Sequence, residues 1–224
     1  MRIDVWSDIV CPWYAIGKKR LASALARFEH ADEVQVVWHA FELDPTPQAQ
    51  RPHFDSIAEL LAKKYGMPLE QAKAANARVT AAAADEGMHW NTDAIQPSAT
   101  FDAHRLLAFA ATQDRQAGEH VQAALMDRLM TAYFAEGQLI SQHATLQAAG
   151  EAVGLAAADV ADLLASDAFT DEVRADERMA AQSGITGVPF FVLGGRYAVS
   201  GAQPVELLLG GLRQAWADPE ARGA

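Results

Sequence analysis

The sequence predicts an α/β fold, a small sheet domain interrupted by a large all-helical insertion. Three observations carry this. Residues 2–43 read strand, helix, strand; residues from about 50 to 183 show no strand signal; residues 188–216 read as a β-hairpin followed by a helix. A strand–helix–strand order favours parallel pairing, so the first segment is a βαβ unit and the last a ββα unit of one domain. The expected parts are 1–48 and 184–218 for the two halves of the sheet domain, with 49–183 as the insertion.

In chain order, Arg2-Ile3-Asp4-Val5-Trp6-Ser7 is a short strand pattern. A helix pattern opens at Pro12 and places Trp13, Ile16, Leu21, Leu25 and Phe28 near one face. Val34–Leu43 is rich in β-branched and aromatic residues and apolar on both faces, which predicts a central strand, ended by Pro45 and Pro47. The alanine-rich block that follows is cut by Gly66, Gly87, Gly137, Gly154 and Gly184, giving five to seven helices. Val188–Leu193 and Arg196–Ser200 flank Gly194-Gly195, the pair whose positive φ angles suit a two-residue hairpin turn. A last helix is expected from about Pro204 to Trp216, with Asp218–Ala224 as a frayed tail.

Composition removes several function classes. A net charge of −11 on 224 residues argues against a nucleic-acid partner or an anionic membrane surface. No stretch approaches the roughly 20 apolar residues a membrane helix needs. The N-terminus carries Asp4 and Asp8 where a signal peptide needs its apolar region, so the expected location is cytoplasmic. The seven histidines form no H-x-x-x-H pair, and with one cysteine no metal site is expected. Neither G-x-G-x-x-G, a P-loop nor G-x-S-x-G is present, which leaves nucleotide binding and serine hydrolysis unsupported. Nothing in the sequence fixes an oligomeric state.

The one cysteine forms no internal disulfide, and a lone cysteine is ordinarily a small buried hydrophobe. Its neighbours change that reading. Pro12 favours the first helical position, which puts Cys11 at the N-cap, beside the unpaired N–H groups and the positive end of the helix dipole. Thiols at such sites have values from about 7.5 down to about 3.5, so an activated thiol is expected. Independently, Gly187-Val188-Pro189-Phe190-Phe191 places a proline at a strand's start. From spacing alone, a cis Val188–Pro189 bond that frees Val188 to pair with a substrate strand and an ordinary edge-strand proline stand level.

Ser7-Asp8-Ile9-Val10-Cys11-Pro12-Trp13 with Gly17-Lys18, Thr100–Leu106, Gly187–Phe191 and Val199–Gln203 together resemble the DsbA-like branch of the thioredoxin superfamily, closest to its cytosolic FrnE type. The resemblance spans nearly the whole chain. It implies a thioredoxin fold with a helical insertion, Cys11 as nucleophile, and a cis-Pro189 facing it. It also implies thiol–disulfide exchange with protein or small-molecule thiols and disulfides. Pro12 and Trp13 would shape the thiol loop, and Val188 and Pro189 would present backbone to substrate.

One position departs from the pattern. The family's redox motif is C-P-W-C, and here it is Cys11-Pro12-Trp13-Tyr14. The second cysteine normally resolves the mixed disulfide formed by the first, so this chain is expected to exchange as a monothiol, with glutathione as the candidate co-substrate and no bound cofactor. Tyr14 has two readings: a phenol donating to a thiolate one turn away, or a packing residue beneath Trp13, the latter favoured by its length. The former is similar to the glutathione-binding relatives of the fold, the kappa-class transferases and 2-hydroxychromene-2-carboxylate isomerases, which carry serine at the position of Cys11. A glutathione-dependent isomerase or transferase, and a non-catalytic peptide-binding relative, are therefore the alternatives. His104, flanked by Asp102 and Arg105, reads either as a substrate-lining residue or as part of a helix-surface cluster; His39 reads as a satisfied core histidine, and Lys18-Lys19-Arg20 as a solvated face.

Overall fold

The computed structural model describes residues 1–117 and 120–223. It divides into two compact units, Met1–Leu43 with Ala175–Ala224, and Asp44–Arg174.

The first unit holds the sheet. β1 (Arg2–Ser7) leads into α1 (Pro12–Leu25) and then β2 (Gln35–Ala40). β1 and β2 pair in parallel, with Trp6 opposite His39 and Ser7 opposite Ala40. β1 pairs antiparallel with β3 (Phe190–Leu193), which pairs antiparallel with β4 (Tyr197–Ser200), giving the order β2-β1-β3-β4. β2 is therefore an edge strand rather than the central strand its apolar run predicts. Such a run reports what covers a strand's two faces, and carries no information about neighbours along its edges. Ile3 and Val5 on β1 and Phe191 and Leu193 on β3 are fully buried. α9 (Val205–Ala217) packs on α1, and buries Leu208, Leu209, Leu212 and Ala215.

Two local expectations are corrected. Leu193 pairs with Tyr197, so the hairpin connection is the three residues 194–196, closed by the Arg196 N–H donating to the Leu193 carbonyl at 3.2 Å. Gly194 and Gly195 do take positive φ, 56° and 66°. The tail is not frayed: Pro219–Arg222 forms a short helix, α10, capped by Asp218, whose carboxylate accepts the Glu220 N–H. Ala221 of α10 sits so close that a Cβ on Gly194 would lie 2.3 Å from its carbonyl oxygen. The longer turn and the ordered tail are thus one packing arrangement.

The second unit contains α2 (Ile57–Tyr65), α3 (Leu69–Asp85), α4 (Phe101–Ala117), α5 (Val121–Phe134), α6 (His143–Ala152) and α7 (Ala157–Leu164); α8 (Thr170–Gln182) begins in it and returns the chain to the sheet. α2 shows how the sequence sets such boundaries: Ser56 accepts the Glu59 N–H at one end, and Gly66 at φ 62° ends the other. Among the described residues, no helix is long and apolar enough to cross a membrane.

Candidate functional site: a buried thiol against a cis-proline

β1 ends at Ser7, and the Cys11 N–H donates back to the Asp8 carbonyl at 3.0 Å, closing a tight turn. Cys11 then has extended backbone, φ −81° and ψ 109°, while its carbonyl already accepts from the Tyr14 and Ala15 N–H groups. Cys11 is therefore the N-cap and Pro12 the first helical residue, as the sequence indicates.

Opposite it, Val188–Pro189 is a cis peptide. The Cys11 thiol donates to the Val188 carbonyl at 3.4 Å, so two segments 177 residues apart meet at the sulfur. Gly17, one and a half turns along α1, allows this approach. A Cβ there would lie 3.1 Å from Pro189 Cγ and 3.3 Å from Phe191 Cζ. The proline segment is tied in turn to the β4–α9 connection, because the Pro189 carbonyl accepts the Gly201 N–H at 2.8 Å. Arg20 of α1 donates to the Ala202 carbonyl at 2.8 Å.

The electrostatics reverse the expected activation. Burial pushes the Cys11 thiol up, the Tyr14 N–H favours the thiolate, the Asp8 carboxylate opposes it, and the Trp13 N–H favours it; the outcome is a thiol pushed up to about 12. The helix terminus does act on the sulfur, but a residue 3% exposed beside a buried carboxylate loses more solvation than two N–H groups return. The resting thiol is neutral. Asp8 is fully buried, and one of its oxygens accepts the Leu43 N–H at 2.8 Å. The sequence signal for its place beside the sulfur is an acid directly after the first strand and three residues before the cysteine.

Trp13 departs from the face its periodicity suggests, and Tyr14 packs inward as its length favours. Trp13 is 45% exposed beside the thiol, whereas Tyr14 is fully buried with Ile16 in the face α1 turns to the core. A tyrosine in the resolving position is here a core residue. His104 belongs to the helical unit, buried on α4. Its neighbour Arg105 is no surface group either: it pairs with Asp102 and donates to the carbonyls of Leu163, Ser166 and Ala168, which pins the end of α7 to α4. Among the described residues, no group of three or more His, Cys, Asp or Glu side chains is placed to hold a metal ion.

The model of the DSBA-like thioredoxin domain matches residues 2–213. The chain belongs to that family. DsbA-like proteins act on thiols and disulfides, and the fold, a four-stranded mixed sheet with a helical insertion, is theirs. The crystal structure of a protein described as a "probable DsbA oxidoreductase" from Streptomyces coelicolor is 43% identical in sequence to this DsbA-like chain, covers 97% of it and 91% of its own length, and superposes with a TM-score of 0.90. The uncharacterized protein YwbO of Bacillus subtilis is 27% identical over 198 residues, 87% of each chain. The cytosolic disulfide reductase DsbM from Pseudomonas aeruginosa, solved with glutathione, shares the fold at 17% identity and a TM-score of 0.60, covering 97% of this chain and all of its own.

Proposed function

We propose that this DsbA-like protein is a monothiol thiol–disulfide oxidoreductase or isomerase that works in a reducing, cytoplasmic compartment with glutathione as co-substrate. The observation that carries the reading is the Cys11 thiol held at 3.4 Å against the Val188 carbonyl, across a cis peptide, at the N-terminus of α1. A substrate disulfide enters beside Trp13 and places its backbone along Val188. In doing so it takes over the carbonyl that the thiol now occupies, and the freed thiol can then ionise under the Tyr14 and Trp13 N–H groups. The Cys11 thiolate attacks one substrate sulfur, the Cys11–S bond forms, the substrate S–S bond breaks, and the departing thiolate takes up a proton. With Tyr14 in the resolving position, a second thiol such as glutathione must attack the mixed disulfide to release Cys11. His104 enters this reading through the family resemblance alone.

A test is incubation of the native protein with oxidised glutathione and mass analysis of the intact chain. One glutathionyl group on Cys11, removed again by reduced glutathione and absent from Cys11→Ser, supports the reading. A native protein that gains no adduct, while the urea-unfolded chain does, overturns it.

A second reading has one observation in its favour: the Cys11 thiol is already placed as a hydrogen-bond donor, to the Val188 carbonyl at 3.4 Å. In a glutathione-dependent isomerase or transferase, Cys11 would donate to the sulfur of a bound glutathione, and Cys11→Ser would retain glutathione binding and turnover. A non-catalytic peptide-binding relative would instead hold peptides with an affinity indifferent to blocking of Cys11.

A further inference from the structure

A partly buried ionic cluster joins α8 to β1 and β2, and the chemistry above does not use it. Trp6 and His39 are register partners on β1 and β2, and their rings stack with centroids 4.5 Å apart and planes at 18°. His39 is 7% exposed, yet both its ring nitrogens face carboxylates: Nδ1 lies 2.7 Å from Asp176 and Nε2 2.7 Å from Asp4. An imidazole between two carboxylates donates from both nitrogens, which makes it an imidazolium. Arg2 pairs with Asp4, so two cations face two anions. Burial works against the charge on His39, and the bonds to Asp176 and Asp4 outweigh it, raising the ring to about 9.

Asp176 joins α8 to this cluster and to the backbone of the sheet. Its second oxygen accepts the Ala40 N–H at 2.9 Å, and its main-chain carbonyl accepts the Trp6 indole N–H at 3.3 Å. One residue thus fastens α8 to both β1 and β2. Such ion pairs add little net stability over apolar packing, but three bonds from one residue hold a single placement of α8 against the two strands. That geometry extends toward the thiol. Trp6 also forms a buried cluster with Ala180 at the end of α8 and Ile185 just beyond it, and Val188 and Phe190 pack against that cluster.

We propose that His39 and Asp176 are positioning residues for the thiol site: by locking α8 onto β1 and β2 they fix the 183–188 segment and so hold the Val188 carbonyl against Cys11. The proposal rests on the reading of Cys11 and Val188 as the exchange site. It separates two reactions of one sulfur. Iodoacetamide needs only an accessible thiolate, whereas a disulfide also needs Val188 in register.

The test compares Asp176→Asn, which keeps an acceptor and the shape but removes the charge, with Asp176→Glu, which restores the charge. Folding is checked by circular dichroism. In folded Asp176→Asn, alkylation of Cys11 at neutral pH is expected to rise about tenfold as the thiol loses its cover. Mixed-disulfide formation with oxidised glutathione, corrected for thiolate content, is expected to fall about tenfold as Val188 leaves register. Asp176→Glu should move both rates back toward the wild type. Unchanged rates, or both rates moving the same way, overturn the proposal, the latter because general loosening would do that. If Asp176→Asn does not fold, His39→Gln replaces it under the same criteria. Should the wild-type protein form no mixed disulfide, the exchange reading fails on its own, and the alkylation rate alone then decides the positioning: a rise supports it and no change overturns it.

Discussion

Cys11 shows how far a favourable backbone can be overruled by its surroundings. The N-cap position sets the Tyr14 and Trp13 N–H groups where they favour a thiolate, and burial beside Asp8 still leaves the thiol pushed up to about 12. Alkylation of the native protein should therefore be slow at neutral pH and keep climbing past about pH 8.5, where a free thiol begins to level off. The same chain in urea should level off at that ordinary value; a plateau near pH 7 in the native protein would mean an activated thiolate instead. Tyr14 gives a second prediction at this scale. Positions three apart in a helix have Cα atoms about 5 Å apart, within the range a disulfide spans, so Tyr14→Cys should form an internal disulfide, read as the loss of two free thiols and two mass units. Because the phenol is fully buried, the same change should cost about 3 kcal/mol of stability, read by urea unfolding of the reduced protein.

At the scale of elements, two glycines decide how neighbours approach. Gly17 lets α1 lie on Pro189. Adding a methyl in Gly17→Ala gains about 1 kcal/mol of helix propensity and costs about 1–3 kcal/mol of overpacking, so a net loss near 1 kcal/mol is expected. The more telling readout is Cys11 alkylation, which should accelerate as α1 is pushed off the proline. Gly194 carries both φ 56° and the close approach of Ala221. Gly194→Ala cannot relieve a Cβ 2.3 Å from a backbone carbonyl by rotating a side chain, so α10 must move. We expect a loss of roughly 2–4 kcal/mol and faster carboxypeptidase trimming of the last residues; unchanged trimming would show that α10 does not depend on this contact.

At the scale of the whole molecule, the ionic cluster links stability to pH. The His39 ring is raised from 6.5 to about 9, so its contribution is fully present below pH 6.5 and is lost as pH rises through about 9. A shift of that size is worth on the order of 3 kcal/mol. The urea midpoint should fall between about pH 6 and about pH 9, and His39→Gln should flatten that fall. Asp4 acts at the other end: burial opposes its charge, but His39 and Arg2 hold it below the usual carboxylate value, so its contribution is lost as pH falls through the acid range.

The order of elements, the N-cap cysteine, the buried face of α1 around Ile16 and the turn at Gly194 were legible in the sequence, because each follows from periodicity or from a residue's own backbone preference. The family motifs likewise pointed to Cys11 facing Val188–Pro189 before any geometry was available. The ends of contacts were not legible. Nothing local says that β2 would lie at the sheet's edge, that Trp13 would face solvent, or that Ala221 would return to cover Gly194, although the packing of Tyr14 was legible from its length. Asp4, His39 and Asp176 are the clearest case. Two lie on different strands and the third on a helix 137 residues after His39; the sequence reads His39 as a satisfied core histidine but names neither partner, and Asp4 and Asp176 each read as ordinary acids. Local sequence determined which conformations the backbone would take and where a thiol would meet a helix terminus. Only the tertiary structure decided that this thiol would be neutral, because desolvation and charge pairing depend on everything that surrounds a group, from any distance along the chain.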